Sequence, residues 1–255
     1  MYKFDISEIL DSFVPISLNE MERVKLMNRI DSKYVFAVNK LPDLLGNLNG
    51  SYRVLDIDQI KVFPYHTTYL DTPEFLFFSQ HVRGKLNRYK IRFRRYESTG
   101  ISFLEIKKKT NRNRTIKWRI ENSSDTNCPN QDASTFISEY LPYKNPALLP
   151  VLINRFTRIT LVDKNVNERL TFDYNLEFES PEGKNVVLPF LAVAELKSEG
   201  NSCQSHFLNT MKQFCIRPGG FSKYCVGSTF VRDMPGTNIL KQNLLQIKKI
   251  ENEYI

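Results

Sequence analysis

Residues 88–121 alternate in a way that few folds accommodate. In Lys90-Ile91-Arg92-Phe93-Arg94 every second side chain is a cation and the ones between are apolar. Successive side chains of a strand point to opposite faces, so Lys90, Arg92 and Arg94 share one face and Ile91 and Phe93 the other. The same division holds in Phe103–Lys109, where Glu105, Lys107 and Lys109 oppose Leu104 and Ile106. It holds in Thr115–Ile120, with Lys117 and Arg119 against Ile116, Trp118 and Ile120. Further on, Arg169-Thr171-Asp173 oppose Leu170-Phe172-Tyr174, and Glu195-Lys197 oppose Ala194-Leu196. One such strand describes a sheet wetted on one side. Five with the same bias suggest that the charged faces share a destination.

Period-two runs near 31–38, 52–58, 65–71, 88–97, 101–109, 114–121, 155–162, 168–179 and 187–198 predict the strands. Turn signals separate them, among them Asn49-Gly50-Ser51, Ser98-Thr99-Gly100 and Pro181-Glu182-Gly183. Helical spacing is expected up to about Arg29, where Ser17 and Glu20 form a capping box ahead of Met21, Val24, Leu26 and Met27. Further helices are expected at 131–141, 204–216 and 237–252, the last packing on the sheet. Many short strands without a long linker predict one domain over residues 1–255, a β-barrel or sandwich decorated by helices.

Charge then narrows the function. Lys and Arg number 36 against 28 Asp and Glu, a formal net charge of +8, which favours anionic partners. Nucleic acid is not expected, because a single-strand binder interleaves exposed aromatics with its cations and here most aromatics fall opposite the charge. No apolar run approaches the roughly 20 residues of a spanning helix, and no secretory leader is read, so a cytoplasmic protein without a membrane segment is expected. Cys128, Cys203, Cys215 and Cys225 have neither metal-site nor redox spacing, and His66, His81 and His206 are scattered. If the sheet closes, its charged faces line a lumen, and a lumen rich in Arg and Lys demands a polyanion. Phosphate chains meet that demand, and a divalent cation bridging carboxylate and phosphate accounts for Glu105 and Glu195 among the cations. Without closure, Glu105 and Lys107 are ordinary surface ion pairs.

The segments Arg29-Ile30-Asp31-Ser32-Lys33-Tyr34, Thr68-Tyr69-Leu70-Asp71-Thr72-Pro73 and His81 to Arg94 (HVRGKLNRYKIRFR) resemble motifs of one family. Phe103 to Lys107 (FLEIK), Arg158, Arg169 to Asp173 (RLTFD), Ala194 to Lys197 (AELK) and Phe221-Ser222-Lys223-Tyr224 follow in the same order. Together they resemble the VTC domain, the polyphosphate polymerase domain of the vacuolar transporter chaperone complex, within the triphosphate tunnel metalloenzyme (CYTH-like) superfamily. The resemblance covers about residues 25–230. It implies an α+β, mainly β fold: an antiparallel eight-stranded-type β-barrel decorated by helices, its tunnel lined by basic residues.

By the same resemblance the chain is a phosphotransferase that moves the γ-phosphate of ATP onto inorganic polyphosphate. Arg92, Arg94, Lys107, Arg158 and Arg169 then grip the triphosphate as catalytic residues. Lys33, Lys90, Lys117, Arg119, Lys197 and Lys223 bind substrate, with Arg119 and Lys109 as suited to the rim as to the lining. Glu195 resembles the ligand of a divalent metal, Mn2+ or Mg2+. Glu105 is either a second ligand or the partner that orients a neighbouring arginine. Two alternatives stay open: a triphosphatase of the same superfamily, and a module that binds polyphosphate or nucleotide without turnover. The first strand reads Asp31-Ser32-Lys33 rather than the E-x-E-x-K of hydrolytic branches, which favours the polymerase. Gly220 stands where the polymerase pattern has a further lysine, three residues before Lys223.

Overall fold

The computed structural model describes residues 6–23, 29–112, 114–122, 128–143, 146–164, 168–199 and 205–254. Its strands are β1 (Val14–Ile16), β2 (Arg29–Ala37), β3 (Tyr52–Leu55), β4 (Phe63–Asp71), β5 (Arg88–Tyr96), β6 (Ser102–Lys109), β7 (Thr115–Glu121), β8 (Leu149–Asp163), β9 (Glu168–Glu179), β10 (Asn185–Leu188) and β11 (Leu191–Glu199). The helices are α1 (Ser7–Asp11), α2 (Leu18–Arg23), α3 (Leu41–Leu48), α4 (Leu76–Val82), α5 (Gln131–Tyr140), α6 (His206–Gln213), α7 (Lys223–Val231) and α8 (Lys241–Tyr254). The fold is α+β and mainly β.

The main sheet runs β2-β11-β9-β8-β4-β5-β6-β7, every neighbouring pair antiparallel. Strand β3 adds to β8, β1 lies parallel on β3, and β10 pairs with β9. Among the described residues, no ladder joins the two ends, β2 and β7. Side chains instead tie two of its strands to one segment. Lys33 of β2 donates to the Phe221 carbonyl at 2.8 Å, and Lys90 of β5 reaches Ser222 Oγ at 3.1 Å. In a flat sheet β2 and β5 would stand five strand spacings apart, about 24 Å. For both to meet consecutive residues the sheet must curl around the segment that leads into α7.

The apolar faces are buried as the alternation requires. Helices α1, α3 and α6 cover Tyr34, Phe36, Ile159, Leu170, Phe172 and Ala194 on the convex side. Helix α5 covers Tyr89, Ile91, Phe93, Leu104 and Ile106. The concave side is not wholly polar. Val35, Tyr69, Leu152, Phe156, Phe178 and Val193 pack there against Tyr224 and Val226 of α7 and Ile247 and Ile250 of α8. Helix α8 buries Ile247 and Ile250 against the sheet, and Leu245 remains exposed.

Several expectations shift. The single amino-terminal helix is instead α1, β1 and α2, and Arg29 already opens a strand; residues 24–28 lie outside the described part. Pro15 has no amide hydrogen for a helix interior, and Val14-Pro15-Ile16 pairs with β3. The Ser17–Glu20 box does form: the Ser17 amide donates to Glu20 at 3.0 Å and the Glu20 amide to Ser17 Oγ at 3.3 Å. The run 187–198 divides at Pro189-Phe190 into β10 and β11. Helices α3, α4 and α7 are additions. Helix α3 carries Pro42 in its first turn and buries Leu41, Leu44, Leu45 and Leu48 at helical spacing. Helix α4 starts on Asp71, whose carboxylate accepts the amides of Thr72, Phe77 and Phe78 at 2.8–2.9 Å. Helix α7 is buried almost all round, so its sequence KYCVGSTFV shows no helical period.

Candidate functional site

Ladder register places the expected site residues on one face. Across β5, β6 and β7 the rows read Lys90–Lys107–Lys117 and Arg92–Glu105–Arg119. On the facing wall Arg158 pairs with Asp173, and Thr171–Glu195–Lys33 and Arg169–Lys197–Asp31 form rows across β9, β11 and β2. Lys223 joins them from the first turn of α7. The curl brings the walls within electrostatic reach, since Glu195 feels Lys107 as well as Arg158.

Three carboxylates divide the work among these cations. Glu105 is fully buried, and its Oε2 accepts Arg92 Nε at 2.7 Å and Nη2 at 2.5 Å, while Lys117 takes Oε1. Burial alone would raise this carboxyl, yet Arg92, Arg94, Lys107 and Lys117 hold it far below the usual carboxylate range. Oε2 is taken by Arg92, while Oε1 has Lys117 as an ion-pair partner and accepts no hydrogen bond among the described residues. Asp173 takes Arg158 in a two-pronged pair, Nε to Oδ1 at 2.6 Å and Nη2 to Oδ2 at 2.7 Å. Lys223 also donates to its Oδ2. Burial opposes this charge too, but Arg158 and Lys223 hold the carboxyl well down. Glu195 differs. Its nearest ion pair is Lys197 at 3.3 Å and its side chain keeps 21% of its exposure. Burial works against its ionisation, and Lys197, Lys33, Arg158 and Lys107 together overcome it.

Charge is not balanced by these acids. Arg94 is buried, with its Nε 3.3 Å from Thr67 Oγ1 and its guanidinium 5.3 Å from the Tyr65 ring centre. Arg158 and Lys223 also sit over aromatic rings, Arg158 5.0 Å from Tyr65 and Lys223 4.6 Å from Phe156. Tyr65 and Phe156 stack at 5.2 Å beneath them, so the cations rest on an apolar floor that supplies attraction without neutralising them. Arg92 first, and then burial, pushes the Lys107 ammonium well below its ordinary value. Burial lowers Lys90 to about 7, with Lys33, Arg92 and Arg88 adding to the fall. Burial lowers Lys223 to about 8 against the pull of Asp173. Burial lowers Lys197 in the same way. Such crowding is costly to the free protein and favourable to a polyanion that enters it.

Two residues lie further out. Arg119 is exposed, its guanidinium 4.7 Å from the Phe103 ring, which makes it a rim residue. Lys117 keeps 35% of its side-chain exposure. The sequence reading overlooked the role of Asp173, the Tyr65–Phe156 floor, and Ser222 at the start of α7. Asp173 sat on the charged face in plain view, but its partner Arg158 is identified only by the β8–β9 register. For a metal, the described residues hold no cluster of three His, Cys, Asp or Glu.

Residues 28–232 match the VTC domain family. The chain belongs to that family. The VTC match runs from the start of β2 to the end of α7 and so encloses every candidate residue from Lys33 to Lys223. Outside it lie α1, β1, α2 and α8. No curated protein matches the sequence. Among solved structures, the VTC chain is similar to a candidate adenylate cyclase from Vibrio parahaemolyticus, at 11% identity and a TM-score of 0.47 over 78% of this chain and 97% of that one. A candidate adenylate cyclase from Bacillus halodurans aligns at 12% identity and 0.48, covering 76% and 94%. A candidate adenylyl cyclase from Hippeastrum, described as having a dominant triphosphatase activity, aligns at 14% and 0.47, covering 81% and 98%. No helix among the described residues is long and apolar enough to cross a membrane.

Proposed function

We propose that the concave face of this VTC domain binds the triphosphate of ATP and transfers its γ-phosphate to inorganic polyphosphate. The observation that carries the reading is the cluster of buried Arg94 and half-buried Lys107 and Lys90, basic side chains with no carboxylate at ion-pair distance among the described residues, set opposite Glu195. Arg92 and Arg158, each locked by a buried carboxylate, present fixed guanidinium forks to phosphate oxygens. Arg94 and Lys107 meet the charge that spreads over the equatorial oxygens during transfer, and Arg169, Lys197, Lys33 and Lys223 align the chain. Cations already held in place need no rearrangement at the moment of transfer, which is where electrostatic catalysis gains most.

A divalent metal fits one place. Mg2+ and Mn2+ take oxygen ligands and are commonly held by one or two carboxylates together with substrate phosphates. Glu105 and Asp173 are each paired with two cations, and Glu195, partly open and ionised, is the carboxylate suited to hold Mn2+ or Mg2+. When bound, the metal would supply charge neutralisation to the phosphates. The same reading includes a cytoplasmic location and no nucleic-acid partner.

One observation favours the triphosphatase alternative. Residues 221–223 span the lumen, and α7 packs apolar side chains against the concave face beyond them, leaving a growing chain little room on that side. Incubation with ATP and Mn2+, followed by polyphosphate gels and assays of ADP and phosphate, separates the two. Polymer that disappears in Arg94→Ala and Glu195→Ala supports the polymerase. Phosphate without polymer supports the triphosphatase, and tight triphosphate binding without turnover a binding module.

A further inference from the structure

The bridge across the lumen holds a hydroxyl that accepts a hydrogen bond from a lysine. Ser222 Oγ lies 3.1 Å from Lys90 Nζ, within the reach at which a hydroxyl passes its proton to an amine. Its neighbours engage the other walls: the Phe221 carbonyl accepts Lys33 at 2.8 Å, and Lys223 donates to Asp173. Two lysines thus converge on Phe221 and Ser222, and the next residue, Lys223, is itself a lysine that reaches across to Asp173. Ser222 also caps α7, its Oγ accepting the Cys225 amide at 3.2 Å, at the positive end of a nine-residue helix.

We propose that Ser222 is a phosphoryl acceptor, phosphorylated in its own tunnel by the nucleoside triphosphate bound there. The inference rests on the triphosphate reading above. A lone pair of Ser222 Oγ forms the new bond to the γ-phosphorus as the bond from that phosphorus to the β–γ bridging oxygen breaks. The nucleoside diphosphate leaves with the bond electrons, and the hydroxyl proton passes to the Lys90 amine. Burial lowers the Lys90 ammonium to about 7 in the free protein. The product is a phosphoserine whose charge meets Lys33, Lys90, Lys223 and the first turn of α7, a combination that stabilises it. A side chain that served only to cap the helix would not require a lysine at hydrogen-bond distance with its ammonium pushed down towards neutrality.

The test incubates the full chain with γ-labelled ATP and Mn2+, then reads acid-stable protein label and maps it by peptide mass. The same samples are assayed for ATP binding and consumption. Label at Ser222 is expected, absent in Ser222→Ala and in Ser222→Asn, which keeps a capping side chain, and retained in Ser222→Thr. Lys90→Gln is expected to slow labelling by about 100-fold, the scale of a lost general base. ATP bound or consumed with no label at position 222 overturns the inference and leaves the triphosphate reading standing. Neither binding nor consumption overturns both.

Discussion

Replacing Glu105 by Gln distinguishes a structural carboxylate from a metal ligand. Glu105 is 0% exposed and holds Arg92, itself nearly buried, through two hydrogen bonds of 2.7 and 2.5 Å. Removing one member of such a pair leaves an uncompensated buried charge, at a cost of about 3–5 kcal/mol. Its second partner, Lys117, is about one-third exposed, so water screens that contact and the lower end applies, about 3 kcal/mol. With a urea slope of about 3 kcal/mol/M, the unfolding midpoint falls by about 1 M. The loss carries a pH signature. The folded carboxyl lies below its ordinary value of 4.5, so its contribution is complete above that pH and shrinks as acid protonates the unfolded chain. The gap between wild type and variant is therefore full at pH 7 and narrows below about pH 4.5. Tripolyphosphate offers Arg92 a substitute anion, so saturating ligand stabilises the variant more than the wild type. An unchanged midpoint in metal-free buffer, with a raised metal requirement instead, refutes the assignment and restores Glu105 as a ligand.

Gly227→Ala tests how closely α7 lies on the sheet: an added Cβ would overlap the Phe178 ring, so we expect a loss of about 1–3 kcal/mol in thermal unfolding and weaker triphosphate binding as α7 shifts. Lys223, at about 8, gains a proton when an anion enters, so tripolyphosphate affinity falls as pH rises from 7 to 9 and calorimetry in buffers of different ionisation heat records proton uptake. Affinity that is flat over that range counts against Lys223 as a ligand. At Gly220 a new Cβ meets nothing within 4 Å, so Gly220→Lys changes stability by no more than about 0.5 kcal/mol and adds a cation beside the bridge. Its tripolyphosphate affinity should rise by about 0.5–1 kcal/mol in a calorimetric titration.

Much of the site was legible because strand parity is a local property. Lys90, Arg92 and Arg94 share a face wherever the strand goes, and so do Glu105 and Lys107, or Glu195 and Lys197. Order along the chain was enough to associate Lys33 and Lys223 with them through the family motifs. Pairings were less accessible. Arg158 and Asp173 meet through a hairpin with an irregularity between Arg155 and Thr157, which a count along the sequence does not anticipate. The sequence left Glu105 two roles, and its contacts with Arg92 and Lys117 became visible only through the β5–β6–β7 register. Helix α7 escaped notice because burial on all sides erases the apolar stripe by which helices are read.

By itself the sequence determined a mainly β fold with cations on one side of its strands, since alternation, turn residues and charge are properties of neighbours in the chain. Only the tertiary structure decided how the curl is completed. No ladder joins β2 to β7 among the described residues, and the curl is tied by Lys33 and Lys90 meeting Phe221 and Ser222 ahead of α7 while Lys223, the first residue of α7, meets Asp173 of β9. These contacts join residues more than 100 positions apart, or 50 in the case of Lys223 and Asp173. Such contacts exist only after the sheet has bent, because bending is what brings distant cations close enough to need a shared partner.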